Sequence, residues 1–368
     1  MKFTCNRQQL VDAVSNVQRA VSTKSSVPAL EGILFRASGN TITLSGYDLE
    51  LGMTTSIEAS IEEGGNIVLS ARLFGDIVRR LPADTVNLTA DEKYMTTITS
   101  GASEFSIVGI PAEEYPELPS VTGETSIKIS HAILKGMIRQ TIFAVADNDA
   151  KPIHTGTLFE IGNNKIRLVS VDGYRLALRE ETAKCTEELS FVVPGKTLGE
   201  VLKLLGDGED ELEILVGRRH IIFHIGMYSV ISRLLEGEFL DYKAAIPASA
   251  ATEIVVKTRA FIDSVERVSL LITDRLKSPV RCVFDENQVK ISCSTAIGRA
   301  NDEFEAQITG PGVEMGFNNR YLLDALRNTE GDEAKIQLNG ALSPMKIVPR
   351  EGDSFLFLVL PVRLKSES

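Results

Sequence analysis

The stretch VDGYRL, residues 171–176, places a carboxylate, a phenol and a guanidinium within four residues, at Asp172, Tyr174 and Arg175. Carboxylates and phenols serve as general acids and bases, and arginine binds phosphates, so these are the residue types of an active site. The Asp-Gly pair is also an ordinary turn signal, because glycine adopts positive φ and aspartate bonds the local backbone. A catalytic group and a connecting turn are both open at this point.

Two further patterns suggest chemistry that their surroundings do not support. PGKT (194–197) looks like the end of a phosphate-binding loop, but that motif needs a glycine at the position of Ser190. His220 and His224 flank a strand-like IIF segment with no third ligand nearby, whereas a zinc site needs three or four. The chain also lacks a GxSxG elbow. An enzyme is therefore the weaker interpretation, which nucleotide turnover by the isolated protein would revive, and we expect no catalytic residue, cofactor or metal.

Length and composition describe a multidomain globular protein. At 368 residues the chain exceeds one ordinary core, so two or three domains are expected. The start, MKFTCNRQQL, lacks the apolar region of a secretory signal, and no run is long enough to span a bilayer. A cytoplasmic chain with reduced thiols is expected, because no CxxC pair occurs among Cys5, Cys185, Cys282 and Cys293. The net charge of −11 argues against a sequence-reading DNA binder, although a local positive stripe can exist within it.

The sequence repeats when it is compared with itself. At a shift of 124 residues, NTITLSGYD (40–48) meets NKIRLVSVD (164–172), and EYPE (114–117) meets EFLD (238–241). A third copy contains NQVKISCS (287–294). These matches predict three homologous domains at 1–122, 126–247 and 252–368.

Each copy has the same predicted order of elements. A short strand precedes a helix with apolar spacing, as at Leu10, Val14, Val17 and Val21 in the first copy. Alternating strands follow, and then comes a second helix, at 72–81, 196–205 and 320–328. We therefore predict an α+β fold in which two helices cover one face of an antiparallel sheet in each copy.

The second helices share a pair of basic positions, seven residues apart, in an otherwise acidic chain. Seven residues make about two helical turns, so both cations of a pair lie on one face. Ordinary solvated charges are the alternative, but the threefold recurrence favours a surface that follows phosphates without reading bases. The six residues are Arg72, Arg79, Lys196, Lys203, Arg320 and Arg327.

The size of the copies favours a ring. A module of about 120 residues is roughly 35 Å across, and three such bodies in a closed circle leave almost no hole. Six leave a hole about as wide as one module, which admits a nucleic-acid duplex. Three modules per chain therefore predict a twofold dimer, the commonest closed symmetry.

Over its full length the sequence resembles the bacterial sliding clamp family, the beta subunit of DNA polymerase III. The motifs that carry the resemblance are MKFT (1–4), VPAL (27–30), LSGYDLE (44–50), VDGYRLA (171–177), GEFLDYK (237–243), GFNNRYLLDAL (316–326) and LPVRL (360–364). The resemblance implies three processivity-fold domains per chain, a head-to-tail dimeric ring, and a non-catalytic protein that encircles duplex DNA without sequence specificity. It also implies that replicative polymerase, clamp loader and repair polymerases dock through short peptide motifs.

The family docks partner peptides in the cleft between its second and third domains, where this chain departs from its own repeat. By resemblance, sixteen residues line that cleft: His154, Val171, Gly173, Tyr174, Arg175, Leu176, Leu240, Ala244, Ala245, Asn318, Tyr321, Leu342, Leu360, Pro361, Val362 and Arg363. VDGYRL is then a docking wall and not a catalytic group. The family often has proline, arginine and an apolar residue where this chain has Leu240, Ala244 and His154, and recognition on that side is open to differences in detail or strength.

Two more sets of residues come from the resemblance. Lys24 is expected to face DNA with the helical cations. FSIVGI (105–110) is predicted to be an edge strand that pairs with the third domain of the partner, and the expected dimer contacts are Phe105, Ile107, Leu271 and Ile272. The residues Lys365 to Ser368 extend past the usual family ending.

Overall fold

The structure, a computed structural model, describes residues 1–121, 125–147, 151–183, 187–273, 275–276 and 278–364. The chain divides into two compact units. Unit 1 contains Met1–His131 and Lys203–Leu234, and unit 2 contains Ala132–Leu202 and Leu235–Ser368. Because this division cuts the chain elsewhere, the three domain boundaries given above stay a prediction.

Six α-helices lie in the described residues, two in each predicted copy. They are α1 Arg7–Val17, α2 Ala71–Val78, α3 His131–Ile142, α4 Gly195–Leu204, α5 Thr258–Val268 and α6 Asn319–Arg327. Asparagine side chains cap the N-termini of α1 and α6: Asn6 Oδ1 accepts from the Gln9 amide, and Asn318 Oδ1 accepts from the Arg320 amide. The predicted second helices are confirmed to within three residues at each end. The first helix is shorter than predicted, because Val21 follows a 3-10 turn, Gln18–Ala20, and lies outside it.

Unit 1 contains one antiparallel sheet of twelve strands. Its strands are β1 Lys2–Asn6, β2 Gly32–Ser38, β3 Thr41–Tyr47, β4 Leu51–Glu63, β5 Gly65–Ser70, β6 Thr85–Ala90, β7 Met95–Ser100, β8 Ser103–Val108, β9 Thr125–Ser130, β14 Glu211–Val216, β15 His220–Ile225 and β16 Tyr228–Arg233. The main path runs β8-β7-β6-β1-β4-β16-β15-β14-β9, so β8 is an edge strand, as the sequence predicted.

Unit 2 contains a sheet of nine strands and a sheet of four. The larger follows the order β13-β10-β11-β12-β25-β24-β23-β17-β21, and the smaller follows β20-β19-β18-β22. The strands are β10 Gly156–Gly162, β11 Lys165–Val171, β12 Arg175–Thr182, β13 Leu189–Pro194, β17 Thr252–Lys257, β18 Val280–Asp285, β19 Gln288–Thr295, β20 Gly298–Glu305, β21 Gln307–Thr309, β22 Val313–Phe317, β23 Glu333–Leu338, β24 Met345–Pro349 and β25 Phe355–Val359. The pairing of β12 with β25 joins strands that lie far apart in sequence.

One hydrogen bond occurs once in each predicted copy. The first amide of the first helix donates to an aspartate carbonyl: Arg7 to Asp84 at 2.8 Å, His131 to Asp210 at 3.0 Å, and Thr258 to Asp332 at 2.9 Å. This bond satisfies one of the amides that a helix start leaves without an intrahelical partner. Self-comparison of the sequence does not reveal it, because a backbone carbonyl carries no residue signature.

Apolar side chains fill the interior as the periodicity predicts. Leu10, Val14 and Val17 of α1 are fully buried, and α6 buries Leu322 and Leu326. Burial of a large aliphatic side chain stabilises a fold by about 1.5–3 kcal/mol. Among the described residues, no helix is long and apolar enough to cross a membrane.

Candidate functional site

The turn between β11 and β12 is held by the Asp172 carboxylate. Its Oδ1 accepts hydrogen bonds from the backbone amides of Tyr174 at 2.9 Å and Arg175 at 3.0 Å. Gly173 has φ of 88°, a left-handed value that glycine adopts without strain. The first copy contains the same turn, in which Asp48 Oδ1 accepts from two backbone amides in the same way. The aspartate is therefore a turn-forming residue in both copies, which favours the connecting turn over a catalytic group.

Arg175 is a structural link and not a free donor. Its side chain is only 8% exposed, and Nε donates to Asp172 Oδ2 at 2.9 Å. Nη1 donates to Asp324 of α6, and the guanidinium carbon lies 4.5 Å from the centre of the Tyr321 ring. A guanidinium with two carboxylate partners and an aromatic face is largely satisfied by the protein itself. Arg175 thus fixes the turn against α6.

The pairing of β12 with β25 brings the two predicted docking segments together. The amide of Leu360 donates to the carbonyl of Tyr174 at 2.9 Å, directly beyond the paired strands. Further along, the amide of Val362 donates to the carbonyl of Gly316 at 2.8 Å. A Cβ on Gly316 would lie 2.7 Å from the carbonyl oxygen of Val362, so only glycine permits this approach. LPVRL therefore lies beside VDGYRL, although 184 positions separate Leu360 from Leu176.

Four large apolar side chains of the predicted site are exposed, and we call them its walls. Tyr174 is 61% exposed and stacks on Tyr321, with 5.8 Å between the ring centres. Leu360 and Val362 are 40% and 42% exposed. Leu342, in the turn between β23 and β24, is 80% exposed. Large apolar groups with this exposure are typical of surfaces that bind a partner.

Other predicted residues lie beneath the surface. Val171 and Leu176 belong to a buried cluster that also contains Leu358 and Tyr242. His154 is buried as well, and its ring packs edge-on against Phe239 at 5.4 Å. Burial, and secondarily the charge of Lys151, lowers the pKa of His154. These residues form a floor, so a docked side chain would contact the exposed walls before it reached them.

The remaining predicted residues lie in two parts of the chain, around the 3-10 helix Tyr242–Ala245 and around α6 with the C-terminal segment. Leu240 is 44% exposed and precedes a short 3-10 helix, Tyr242–Ala245, in which Ala244 and Ala245 are exposed. We call residues 240–245 the wall segment. Asn318 caps α6, Pro361 is half-buried, and Arg363 is exposed.

All six helical cations are exposed, and so is Lys24. Arg79 pairs with Asp76 at 3.1 Å and Arg327 pairs with Glu266 at 2.7 Å. The Arg79 hydrogen bond lowers the pKa of Asp76, and the Arg327 hydrogen bond lowers that of Glu266. Ion pairs exposed to solvent contribute little net stability, so a phosphate can replace the acid at little cost.

Two exposed apolar patches lie at the positions expected for the dimer contact. On unit 1, Phe105 and Val108 of the edge strand are 40% and 68% exposed, while Ile107 is half-buried. On unit 2, the predicted Leu271 and Ile272 are half-buried, but their neighbour Leu270 is 81% exposed. Ile297, in the β19–β20 hairpin, is 64% exposed. Leu270, Ile297 and Val108 were not predicted from the sequence.

The described residues contain no group of three or more histidine, cysteine or acidic side chains that could hold a metal. His224 Nδ1 lies 2.9 Å from Ser229 Oγ on the neighbouring strand, which gives that ring a structural contact. Cys5, Cys282 and Cys293 are buried free thiols, and burial raises the pKa of Cys5 to about 12. Cys185 lies outside the described residues. PGKT joins β13 to α4, as the sequence predicted.

Comparison with known proteins gives matches along the whole chain. Family models of the DNA polymerase III beta subunit match residues 1–119 (N-terminal domain), 128–241 (central domain) and 243–363 (C-terminal domain). The beta sliding clamp of Bacillus subtilis is 34% identical over 376 residues, which cover 99% of this chain and 100% of that protein.

Solved structures match equally well. The crystal structure of the DNA polymerase sliding clamp from Bacillus subtilis has a TM-score of 0.96, 34% identity, and coverage of 99% of this chain and 100% of that chain. A sliding clamp from Pseudomonas aeruginosa bound to griselimycin has a TM-score of 0.93, 26% identity and the same coverage.

Proposed function

The chain belongs to the family of DNA polymerase III beta subunits, the beta sliding clamps, and we propose that it acts by closing as a head-to-tail dimeric ring around duplex DNA. It is a non-catalytic processivity subunit, which tethers the replicative polymerase and other replication and repair proteins. The three domains 1–122, 126–247 and 252–368 would supply six modules per ring. Its place of action is the cytoplasm.

The groove of unit 2 is the proposed docking site for partner peptides. The observation that carries this assignment is the exposure of Tyr174 and Leu360, two large apolar side chains that a backbone hydrogen bond between the same residues holds side by side. A short segment with a glutamine followed by leucine and then leucine or phenylalanine is expected to place its apolar side chains on Tyr174, Leu342 and Leu360. The Pseudomonas aeruginosa clamp bound to griselimycin shows that a relative accepts a ligand.

The exposed cations of the second helices are the proposed DNA contact. They recur seven residues apart in every copy: α4 and α6 each contain both cations, whereas α2 contains Arg72 and is followed directly by Arg79 at its C-cap. Cations on a helix surface neutralise phosphates without reading base edges, so the contact is expected to be salt-dependent and independent of sequence. Lys24 is expected to add to this set.

The two apolar patches are the proposed dimer contact. The edge strand β8 has unpaired backbone groups along one side, and Phe105 and Val108 are exposed beside them. On unit 2, β20 is likewise an edge strand, and Leu270 and Ile297 lie near its start. Pairing of β8 with β20 of the partner subunit would cover both edges, and it would occur twice in a head-to-tail dimer.

Retention on circular DNA tests this function. The protein is loaded on a nicked plasmid by the family's clamp loader and passed through a gel-filtration column at high salt. The same complex is then linearised with a single-cutting nuclease. A ring stays on the circle and leaves the linear molecule through its ends, whereas a protein held by charge alone leaves both equally. Equal retention would refute encirclement and leave a docking scaffold that does not enclose DNA.

A further inference from the structure

The wall segment is too short to hold its own position. Its only regular element is the four-residue 3-10 helix Tyr242–Ala245, which has no side-chain cap. An isolated turn of this length is not stable in water, because too few hydrogen bonds repay the ordering of its backbone. Leu240, Ala244 and Ala245 can form a defined wall only if another contact fixes the segment to the sheet.

Tyr242 makes that contact with both ends of its side chain. The ring is 3% exposed and packs in the cluster that contains the floor residues Val171 and Leu176. Its hydroxyl donates to Glu160 Oε2 and accepts from Nη1 of Arg167, 3.1 Å away. The apolar body thus rests on the groove floor while the polar tip reaches the charged groups of the sheet.

The acceptor belongs to a charged ladder across three neighbouring strands. Glu160 on β10 lies opposite Arg167 on β11, which lies opposite Glu180 on β12. Arg167 joins the two acids, with Nη1 3.3 Å from Glu160 and Nε 2.9 Å from Glu180. Lys165 adds a second cation on Glu180. Opposite charges that face each other across strands stabilise the sheet and hold the ladder in place.

Arg167 stays charged and the phenol of Tyr242 stays neutral. Burial opposes charge on Arg167, but its bonds to Tyr242 and Glu180 outweigh this and raise its pKa. Burial, with the bond to Glu160, raises the pKa of Tyr242 to about 12, so the hydroxyl keeps its proton at physiological pH. A cavity of about 430 Å³ bordered by Glu160, Arg167, Glu180 and Lys243 gives the ladder access to solvent.

We propose that Tyr242 is a positioning residue for partner docking: its hydroxyl, held by Glu160 and Arg167, fixes the wall segment at one depth over the groove floor. The inference rests on the proposed role of the groove. A preformed wall spares a flexible peptide the cost of ordering both surfaces, so its affinity depends on this bond although Tyr242 itself is buried.

The test compares Tyr242→Phe with wild type. The probe is a fluorescein-labelled peptide that carries glutamine followed by leucine and phenylalanine, titrated into the full-length protein. Loss of one hydrogen bond to a charged group is expected to weaken binding by about three- to tenfold. Amide exchange should rise in the wall segment and at Ile246, whose amide donates to Lys243, while the melting temperature changes by only about 2 °C.

Two further variants separate positioning from general stability. Lys165→Met removes a cation from the same ladder at Glu180, and its peptide affinity is expected to stay within about twofold of wild type. Glu160→Gln keeps an acceptor for the hydroxyl and should lose less affinity than Glu160→Leu.

The outcomes are distinct. If wild type and Tyr242→Phe bind the peptide equally well, and amide exchange in the wall segment is no faster in the variant, the positioning role is wrong but the proposed docking groove is not contradicted. If wild type does not bind the peptide, the proposed docking groove is wrong. In that case, amide exchange of the wall segment in Tyr242→Phe and wild type still shows whether the Tyr242 hydroxyl orders the segment. An unchanged exchange rate would overturn the positioning role as well.

Discussion

A side chain at position 173 should block docking without preventing folding. Gly173 has φ of 88°, and a Cβ added there would meet no heavy atom within 4 Å. A side chain in the left-handed region costs about 1–2 kcal/mol in backbone strain. The corresponding turn of the first copy already tolerates this, because Leu49 has φ of 78°. Gly173→Ala and Gly173→Glu are therefore both expected to fold, with the same modest loss of stability.

The two variants should differ in peptide affinity. An apolar anchor contributes about 1.5–3 kcal/mol when it is buried, and two or three anchors minus the ordering cost give micromolar binding, roughly −8 kcal/mol. A glutamate at 173 would stand next to Tyr174, whose carbonyl accepts from the Leu360 amide, so we expect it to displace about one anchor. The loss of 1.5–3 kcal/mol corresponds to about 10- to 150-fold weaker binding. The methyl group of alanine is too short to displace an anchor of the peptide.

Calorimetric titration of the glutamine–leucine–phenylalanine peptide measures the difference. Wild type and Gly173→Ala are expected to bind within about threefold of each other, while Gly173→Glu loses at least about tenfold. Thermal unfolding of both variants checks that the strain is matched. A chain truncated after Val359, which lacks Leu360 and Val362, should lose binding as well. Equal affinity in all four proteins would refute the reasoning, since the peptide would then dock elsewhere.

Replacing Arg79, Lys203 and Arg327 together by glutamate should preserve folding, but DNA affinity should depend less steeply on salt concentration, because about three phosphate contacts per protomer are lost. If a fluorescence titration gives an unchanged salt dependence of the affinity, these cations lie away from DNA. Leu270→Ala combined with Ile297→Ala removes mostly exposed side chains, so analytical sedimentation should shift towards monomer while the unfolding temperature stays constant. Leu49→Ala, which also removes an exposed leucine, is the control. If the double variant and the control stay dimeric to the same dilution, this contact is excluded. The lowered pKa of His154, caused by burial and then Lys151, means that the unfolded chain binds the proton first below about pH 6.5. The stability that neutral His154 gives is complete above that pH and is lost as the pH falls towards the lowered pKa of the folded protein. His154→Phe should therefore reduce the fall in melting temperature between about pH 7 and pH 5. If the melting temperatures of wild type and variant fall equally, the ring is not protonated on unfolding.

The elements that follow local rules were predictable. The 3.6-residue apolar spacing located α1 and the second helices, and the alternating pattern of FSIVGI located an edge strand. Asp172 and Gly173 were correctly interpreted as a turn, because both residue types have a backbone reason to be there. The predicted docking residues came from the resemblance to a known family, because the local rules do not indicate them, and they stay a prediction.

The sequence could not separate walls from floor. Val171 and Leu360 are both aliphatic and both predicted to line the groove, yet the first is 4% exposed and the second 40%. The difference depends on which strand covers each, and the β12–β25 pairing brings together residues far apart in the chain. The partner of Arg175 was hidden for the same reason, since Asp324 lies on α6. Leu270 was missed because one apolar residue beyond a helix has no periodic signal.

The two homologous turns share one backbone arrangement but differ in their side chains. At the turn of the first copy, the carbonyl of Glu50 accepts from the amide of Arg233 at 2.9 Å, just as the carbonyl of Tyr174 at the second turn accepts from the amide of Leu360. The turn and the strand beside it are therefore properties of the repeat and not of the site. The first copy fills the space above its turn with Leu49, which is 51% exposed, whereas Gly173 leaves that space empty. Docking at the second turn, as proposed, would therefore depend on the absence of a side chain at Gly173 as much as on the presence of Tyr174 and Leu360, and the repeat comparison singled out this turn because the copies differ there.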